Sequence, residues 1–109
     1  MLLYLNFEKM NAEQIQALPD FIIMNVPSKE WRFISMTEGL SEEFMRKYSD
    51  KLWWASIGHH QNLSESFIRD YIGEYGLYES LIVKNTKDIS VIHSLKTMLH
   101  EWYQNRENK

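Results

Sequence analysis

The chain says the same thing twice. Trp31 to Tyr48 reads WRFISMTEGLSEEFMRKY, and Trp54 to Tyr71 reads WASIGHHQNLSESFIRDY, displaced by 23 residues. Ten of the eighteen aligned positions are identical or closely similar: Trp31/Trp54, Ile34/Ile57, Ser35/Gly58, Leu40/Leu63, Ser41/Ser64, Glu42/Glu65, Phe44/Phe67, Met45/Ile68, Arg46/Arg69 and Tyr48/Tyr71. A fixed period in the low twenties marks a supersecondary unit that buries its apolar side against a neighbouring copy.

Each copy reads as helix, tight turn, capped helix. Pro27 and Ser28 open the first helix, Trp31, Ile34 and Ser35 lie on its inner side, and Gly39 ends it. Ser41 and Ser64 then stand where a hydroxyl can accept from the orphan N–H groups of a first turn. Glu42, Glu43 and Glu65 complement the positive end of the helix dipole. Leu40 with Met45, and Leu63 with Ile68, match the spacing of a hydrophobic staple. The expected core is Trp31, Ile34, Leu40, Phe44, Met45 and Tyr48, matched by Trp54, Ile57, Leu63, Phe67, Ile68 and Tyr71. Helices of about ten residues are marginal alone, so such units persist only by packing on one another.

The flanks are less regular. Residues 1–7 are rich in Leu, Tyr and Phe and read as a short strand. Asn11 is a helix N-cap followed by Ile15, Leu18 and Ile22, with Pro19 ending one short helix and opening the next at its first position. Leu18-Pro19-Asp20-Phe21-Ile22 looks like a worn copy of the Leu-Ser-Glu-x-Phe unit, as terminal repeats often are. Gly73 and Gly76 are turn signals. Leu81, Ile82 and Val83 form a β-favouring run; a strand paired with residues 2–5 (Leu2, Leu3, Tyr4, Leu5) is the preferred reading, the first helix of another unit the alternative. Thr86 or Asp88 caps a final helix, whose stripe runs through Ile89, Ile92, Leu95, Leu99 and Trp102. Residues 104–109 read as a polar, frayed tail.

The expected fold is therefore mainly α: tandem helix-turn-helix repeats in one domain, with a worn repeat at about 10–30, repeats at 31–53 and 54–76, and a closing segment at 77–109. At 109 residues, 44% hydrophobic and 25% charged, the composition is that of an ordinary globular domain. A net charge of −3 lowers the expectation of a dedicated nucleic-acid binder. With no cysteine there is no disulfide framework and no thiolate metal site, which suits a reducing cytoplasm. The apolar run at the start, about five residues, is too short for a signal-peptide core or a membrane span. The expected location is cytoplasmic.

The combination W-x-x-I, then L-S-E-x-F-I/M, then the same again resembles short tandem repeats of uncharacterised proteins from bacteriophages and large DNA viruses. The resemblance covers roughly residues 18–71. It implies a viral accessory protein whose helices pack in tandem, and it carries no catalytic residues.

No nucleotide-binding, zinc-protease, nucleophile-elbow or EF-hand signature is present. His93 and His100 are seven apart on one helical face, but a zinc site needs further ligands, such as His59 or His60 with Glu101. A plain reading as surface histidines is preferred, so neither metal nor cofactor is expected. Three sets of residues remain as candidates for function. Trp53 aligns with Glu30 and breaks the repeat; a neighbour of a core Trp faces partly outward, where Trp is a typical anchor for a protein partner. His59 and His60 replace Met36 and Thr37 in an inter-helix turn, a common binding face of stacked repeats. Arg46 and Arg69 are equivalent and define one edge. The leading reading is a non-enzymatic protein-binding module, an accessory protein that occupies a host protein such as a defence-system component. Nucleic-acid binding through the Arg46/Arg69 edge, and an enzyme using the His59-His60 turn, are the alternatives.

Overall fold

The computed structural model describes residues 5–107, and among them every regular element is helical. A 3-10 turn at Phe7–Lys9 is followed by α1 (Ala12–Gln16), α2 (Asp20–Ile23), α3 (Ser28–Met36), α4 (Glu42–Lys47), α5 (Trp54–His60), α6 (Glu65–Tyr71), α7 (Leu77–Lys84) and α8 (Ile89–Glu107).

Local chemistry sets these boundaries. Asn11 and Gln14 form a reciprocal capping box at α1, with bonds of 2.8 and 2.9 Å. Ser41 Oγ accepts from the Phe44 N–H at 3.0 Å, and Ser64 Oγ accepts from the Phe67 N–H at 3.2 Å. Asp88 accepts from the Val91 N–H at 3.2 Å and so starts α8. Pro19 and Pro27 sit one residue earlier than the first helical position, at the extended N-caps of α2 and α3. Neither offers a side-chain cap, and both use their carbonyls to start the helix. Gly39 (φ +96°) and Gly76 (φ +92°) take left-handed turns that other residues enter only at a cost.

The run Leu81–Val83, expected as a strand, is the second half of α7. Leu77 and Leu81 are one helical turn apart and both buried. Packing of that face on α5 overrides the β-branched preference of the short run. The proposed pairing partner, residues 2–4, lies outside the described residues; Leu5 has no regular structure and Phe7 begins the 3-10 turn. The polar tail is also helical as far as it is described: Gln104 to Glu107 continue α8.

Odd-numbered helices pack in series, α3 on α5 and α5 on α7, while α8 covers α6 and α7. Polar links join the even-numbered helices in the same order. Asp20 of α2 meets Lys47 of α4 at 3.3 Å; Arg46 of α4 meets Asp70 of α6 at 2.8 Å; Arg69 of α6 meets Glu101 of α8 at 3.5 Å. The result is a slab of 49 × 35 × 20 Å with a radius of gyration of 15.2 Å. A compact chain of this length has a radius near 13 Å, so the helix pairs form a row and not a ball.

The core runs through the row. Trp31, Ile34, Leu40, Met45, Tyr48, Trp54, Ile57 and Phe67 are buried, together with Ile15, Ile23, Ile72, Leu77, Leu81, Leu95 and Met98. Phe44, Leu63, Ile68 and Tyr71, expected in the core, are only half-buried.

Candidate functional site

Two aromatic triads stand at matching places. Trp31 lies 6.3 Å from Phe44 and 5.7 Å from Tyr48, with Phe44 and Tyr48 4.9 Å apart. Trp54 lies 6.0 Å from Phe67 and 4.8 Å from Tyr71, with Phe67 and Tyr71 4.7 Å apart. Such pairs add to the area they bury. They bury Trp31, Tyr48, Trp54 and Phe67 and leave Phe44 and Tyr71 half-buried.

Both candidate arginines are engaged between helices. The Arg46 guanidinium sits 5.1 Å from the Phe67 ring and 5.6 Å from the Tyr71 ring while it bonds Asp70. This partner strengthens its positive charge and raises its pKa. Arg69 reaches Glu101 at 3.5 Å and Glu65 at 3.8 Å. Their positive charge is locally answered by acids, unlike a phosphate-tracking groove.

A third link has coupled protonation. The Tyr48 hydroxyl donates to Asp20, and Lys47 adds an ion pair. The hydrogen bond from Tyr48, then the one from Lys47, hold the Asp20 carboxyl below its usual range. Burial, then the Asp20 bond, push the Tyr48 phenol up. The Asp20 bond likewise raises Lys47.

Ser41 and Ser64 are each tied to the preceding helix pair. The Ser41 N–H donates to Gln16 Oε1 at 2.8 Å. The Ser64 N–H and hydroxyl both donate to the Glu42 carboxylate, at 2.7 and 2.8 Å. The Ser64 hydroxyl therefore both caps α6 and serves a joint.

Gln61 was not singled out by its sequence context, yet it organises the turns. It is 2% exposed. Its Oε1 accepts from the Leu40 N–H at 3.1 Å, and its Nε2 donates to the Thr37 carbonyl at 2.6 Å and the Ser35 carbonyl at 3.3 Å. Three bonds satisfy a buried amide that would otherwise be costly. The only sequence signal was a Gln two residues before Leu63 of the Leu-Ser cap, with Glu38 in its place in the first copy.

Trp53 is 40% exposed and is the N-cap residue of α5, not a residue inside the helix. Its backbone N–H donates to Ser35 Oγ at 2.9 Å, and its indole N–H donates to the Ser28 carbonyl at 3.2 Å. One ring edge is thus held on α3 while the rest meets solvent. His59, exposed, and His60, half-buried, form the last turn of α5 and not the inter-helix turn expected for them, because the helix continues to its C-cap at Gln61; their ring centroids are 6.3 Å apart. Around them lie two clefts. One, of about 430 Å³, is lined by Ala55, His59, Tyr75, Gly76, Glu79 and Val83. The other, of about 600 Å³, joins His59 and His60 to Glu38, Asn62 and Lys84. The structure thus brings the two histidines together with α7, and leaves Arg46 and Arg69 on the even-helix side.

Among the described residues, no three His, Cys, Asp or Glu side chains are placed to hold a metal ion, and no helix is long and apolar enough to cross a membrane. Comparison with protein-family models, curated proteins and solved structures finds no match to this chain.

Proposed function

We propose that the α3–α4 and α5–α6 pairs are copies of one stacked unit. A worn unit flanks them at about 10–30 and a closing pair at 77–109. We infer that the row acts as a non-enzymatic protein-binding module. The spacing of the elements supports the first part: α4 and α6 begin 23 residues apart at Glu42 and Glu65, and α5 and α7 begin 23 apart at Trp54 and Leu77. The second part is carried by one observation. Tyr75 and Val83, 97% and 60% exposed, line the groove with Ala55 and His59, and Trp53, 40% exposed, stands at the start of α5. Exposed aromatics next to a groove are the usual anchors of protein partners. The resemblance to viral repeat proteins favours an accessory protein that occupies a host protein, such as a defence component, in the host cytoplasm.

Affinity capture from host lysate, read by mass spectrometry, tests this. Wild type retains a specific partner, and the Trp53→Ala/Tyr75→Ala variant loses it. No partner, or one retained equally by the variant, rejects the reading.

A further inference from the structure

The larger cleft has an ammonium that the neighbouring groove lacks. It lies where the α3–α4 and α5–α6 turns meet the end of α7. Its floor is the Gln61 amide, whose three bonds hold both turns in place. Its walls carry donors: the Lys84 ammonium, the Asn62 NH2 group and one N–H on each of the His59 and His60 rings, whose other nitrogen accepts, as does the Asn62 side-chain oxygen. Lys84 Nζ spends one proton on the Gln61 carbonyl at 3.1 Å, which anchors it over the cleft and leaves two N–H groups free to donate. Among the described residues Lys84 has no ion-pair partner. Glu38 is the acid among the lining residues.

The preceding junction has no such cleft chemistry. Twenty-three residues before Lys84 stands Gln61, which is buried, and before His59 and His60 stand Met36 and Thr37. The histidines and the lysine therefore belong to this junction and not to the preceding one. A compact set of N–H donors with one fixed ammonium suits a small anion. Glu38 at the same cleft, and the net charge of −3, oppose a multiply charged group such as phosphate more than a carboxylate, which brings one charge into the cleft.

We propose that this cleft receives a carboxylate side chain from an acidic segment of the protein partner. Lys84 supplies the charge, and His59, His60 and Asn62 supply further donors. The proposal rests on the protein-binding reading and names the chemistry of one contact within it.

The test is a titration of the full chain, followed by ¹H–¹⁵N NMR, with an end-blocked tetraglutamate peptide. Tetraglutamine and inorganic phosphate are the controls. Tetraglutamate should give saturable shifts at Gly39, His59, His60 and Asn62. Lys84→Gln should weaken that binding about tenfold, the usual loss of one charge-assisted bond. Lys84→Arg should retain most of it, and Lys96→Gln on α8 should leave it unchanged. Dispersed spectra establish that each variant is folded. Equal shifts with tetraglutamine, equal affinity for phosphate, or an unaffected Lys84→Gln variant overturns the proposal. A lysate partner lost on Trp53→Ala/Tyr75→Ala but kept by Lys84→Gln rejects the carboxylate site and leaves the binding module standing.

Discussion

The α3–α4 and α5–α6 pairs share their caps and their aromatic triads, yet they are not equally buried. Trp31, Leu40, Met45 and Tyr48 are all buried in the first pair, whereas Leu63, Ile68 and Tyr71 are half-exposed in the second. Phenylalanine behaves in the opposite way: Phe67 is fully buried beneath Arg46, while Phe44 lines an open groove with Leu18, Asp20 and Lys47. Identical residues thus acquire different environments from their neighbours. The repeated positions keep the caps and the triads, and their burial follows what stands on either side.

The two tryptophans offer the largest contrast. Truncating a buried Trp costs about 3–5 kcal/mol, and Trp31→Ala should reach the upper part of that range because Trp31 is only 1% exposed. Trp54→Ala, at 6% exposure and near the less covered Tyr71, should cost less. Urea unfolding of both variants measures the difference; equal losses would break the comparison. Trp31→Phe sharpens it. The Trp31 indole N–H is buried without an acceptor, so its removal offsets part of the lost area.

The next contrast is the small pair Ser35 and Gly58. A Cβ on Gly58 would lie 1.8 Å from Ser80 Oγ and 3.2 Å from Leu77 Cδ1, because α7 packs directly on α5 there. Gly58→Ala should destabilise by about 1–3 kcal/mol through overpacking. Ser80→Ala on that background should recover part of the loss, since the closest overlap is with the hydroxyl. Ser35 has space for its hydroxyl and uses it to accept from Trp53, so Ser35→Ala should cost about 1 kcal/mol. A double-mutant cycle in urea reads all three values.

The smallest effect is at the joint between α2 and α4. Asp20 has its folded pKa lowered by the Tyr48 and Lys47 bonds, so its contribution is present above its unfolded value and is lost as pH falls through the folded one. Tyr48 is raised, chiefly by burial, so its contribution is present below the ordinary phenol range and fades as pH rises through the folded value. Unfolding followed against pH should show the acid-side loss shrink in Asp20→Asn. The equivalent acid-side change should be absent from Arg46→Gln, which leaves Asp20 untouched; an identical acid limb in wild type and Asp20→Asn removes the joint as a contributor.

Helical class, the capped starts of α4 and α6 and most of the buried stripe were readable from residue type and spacing. A serine three residues before the N–H it caps, and apolar side chains at helical intervals, are local signals. The strand expected at Leu81 to Val83 shows where local signals stop. Three β-favouring residues cannot report that Gly58 of α5 leaves room for Leu77 and Ser80 to pack closely. Gln61 was equally silent, because its partners lie at Ser35, Thr37 and Leu40, more than twenty residues away. Of the site, Trp53 and the histidine pair could be picked out as breaks in the repeat. Lys84 could not, since nothing nearby in the chain ties it to Gln61.

By itself the order of residues determined the helix starts, the 23-residue spacing and which faces were apolar, because these depend on bonds and periodicities within a turn or two of chain. Only the tertiary structure decided which copy of each aromatic is sealed, why Gly58 has no side chain, and that two histidines, a lysine and a glutamate share one cleft. Those outcomes depend on how closely helices from distant stretches approach, and that distance is set by the shapes of both partners at once.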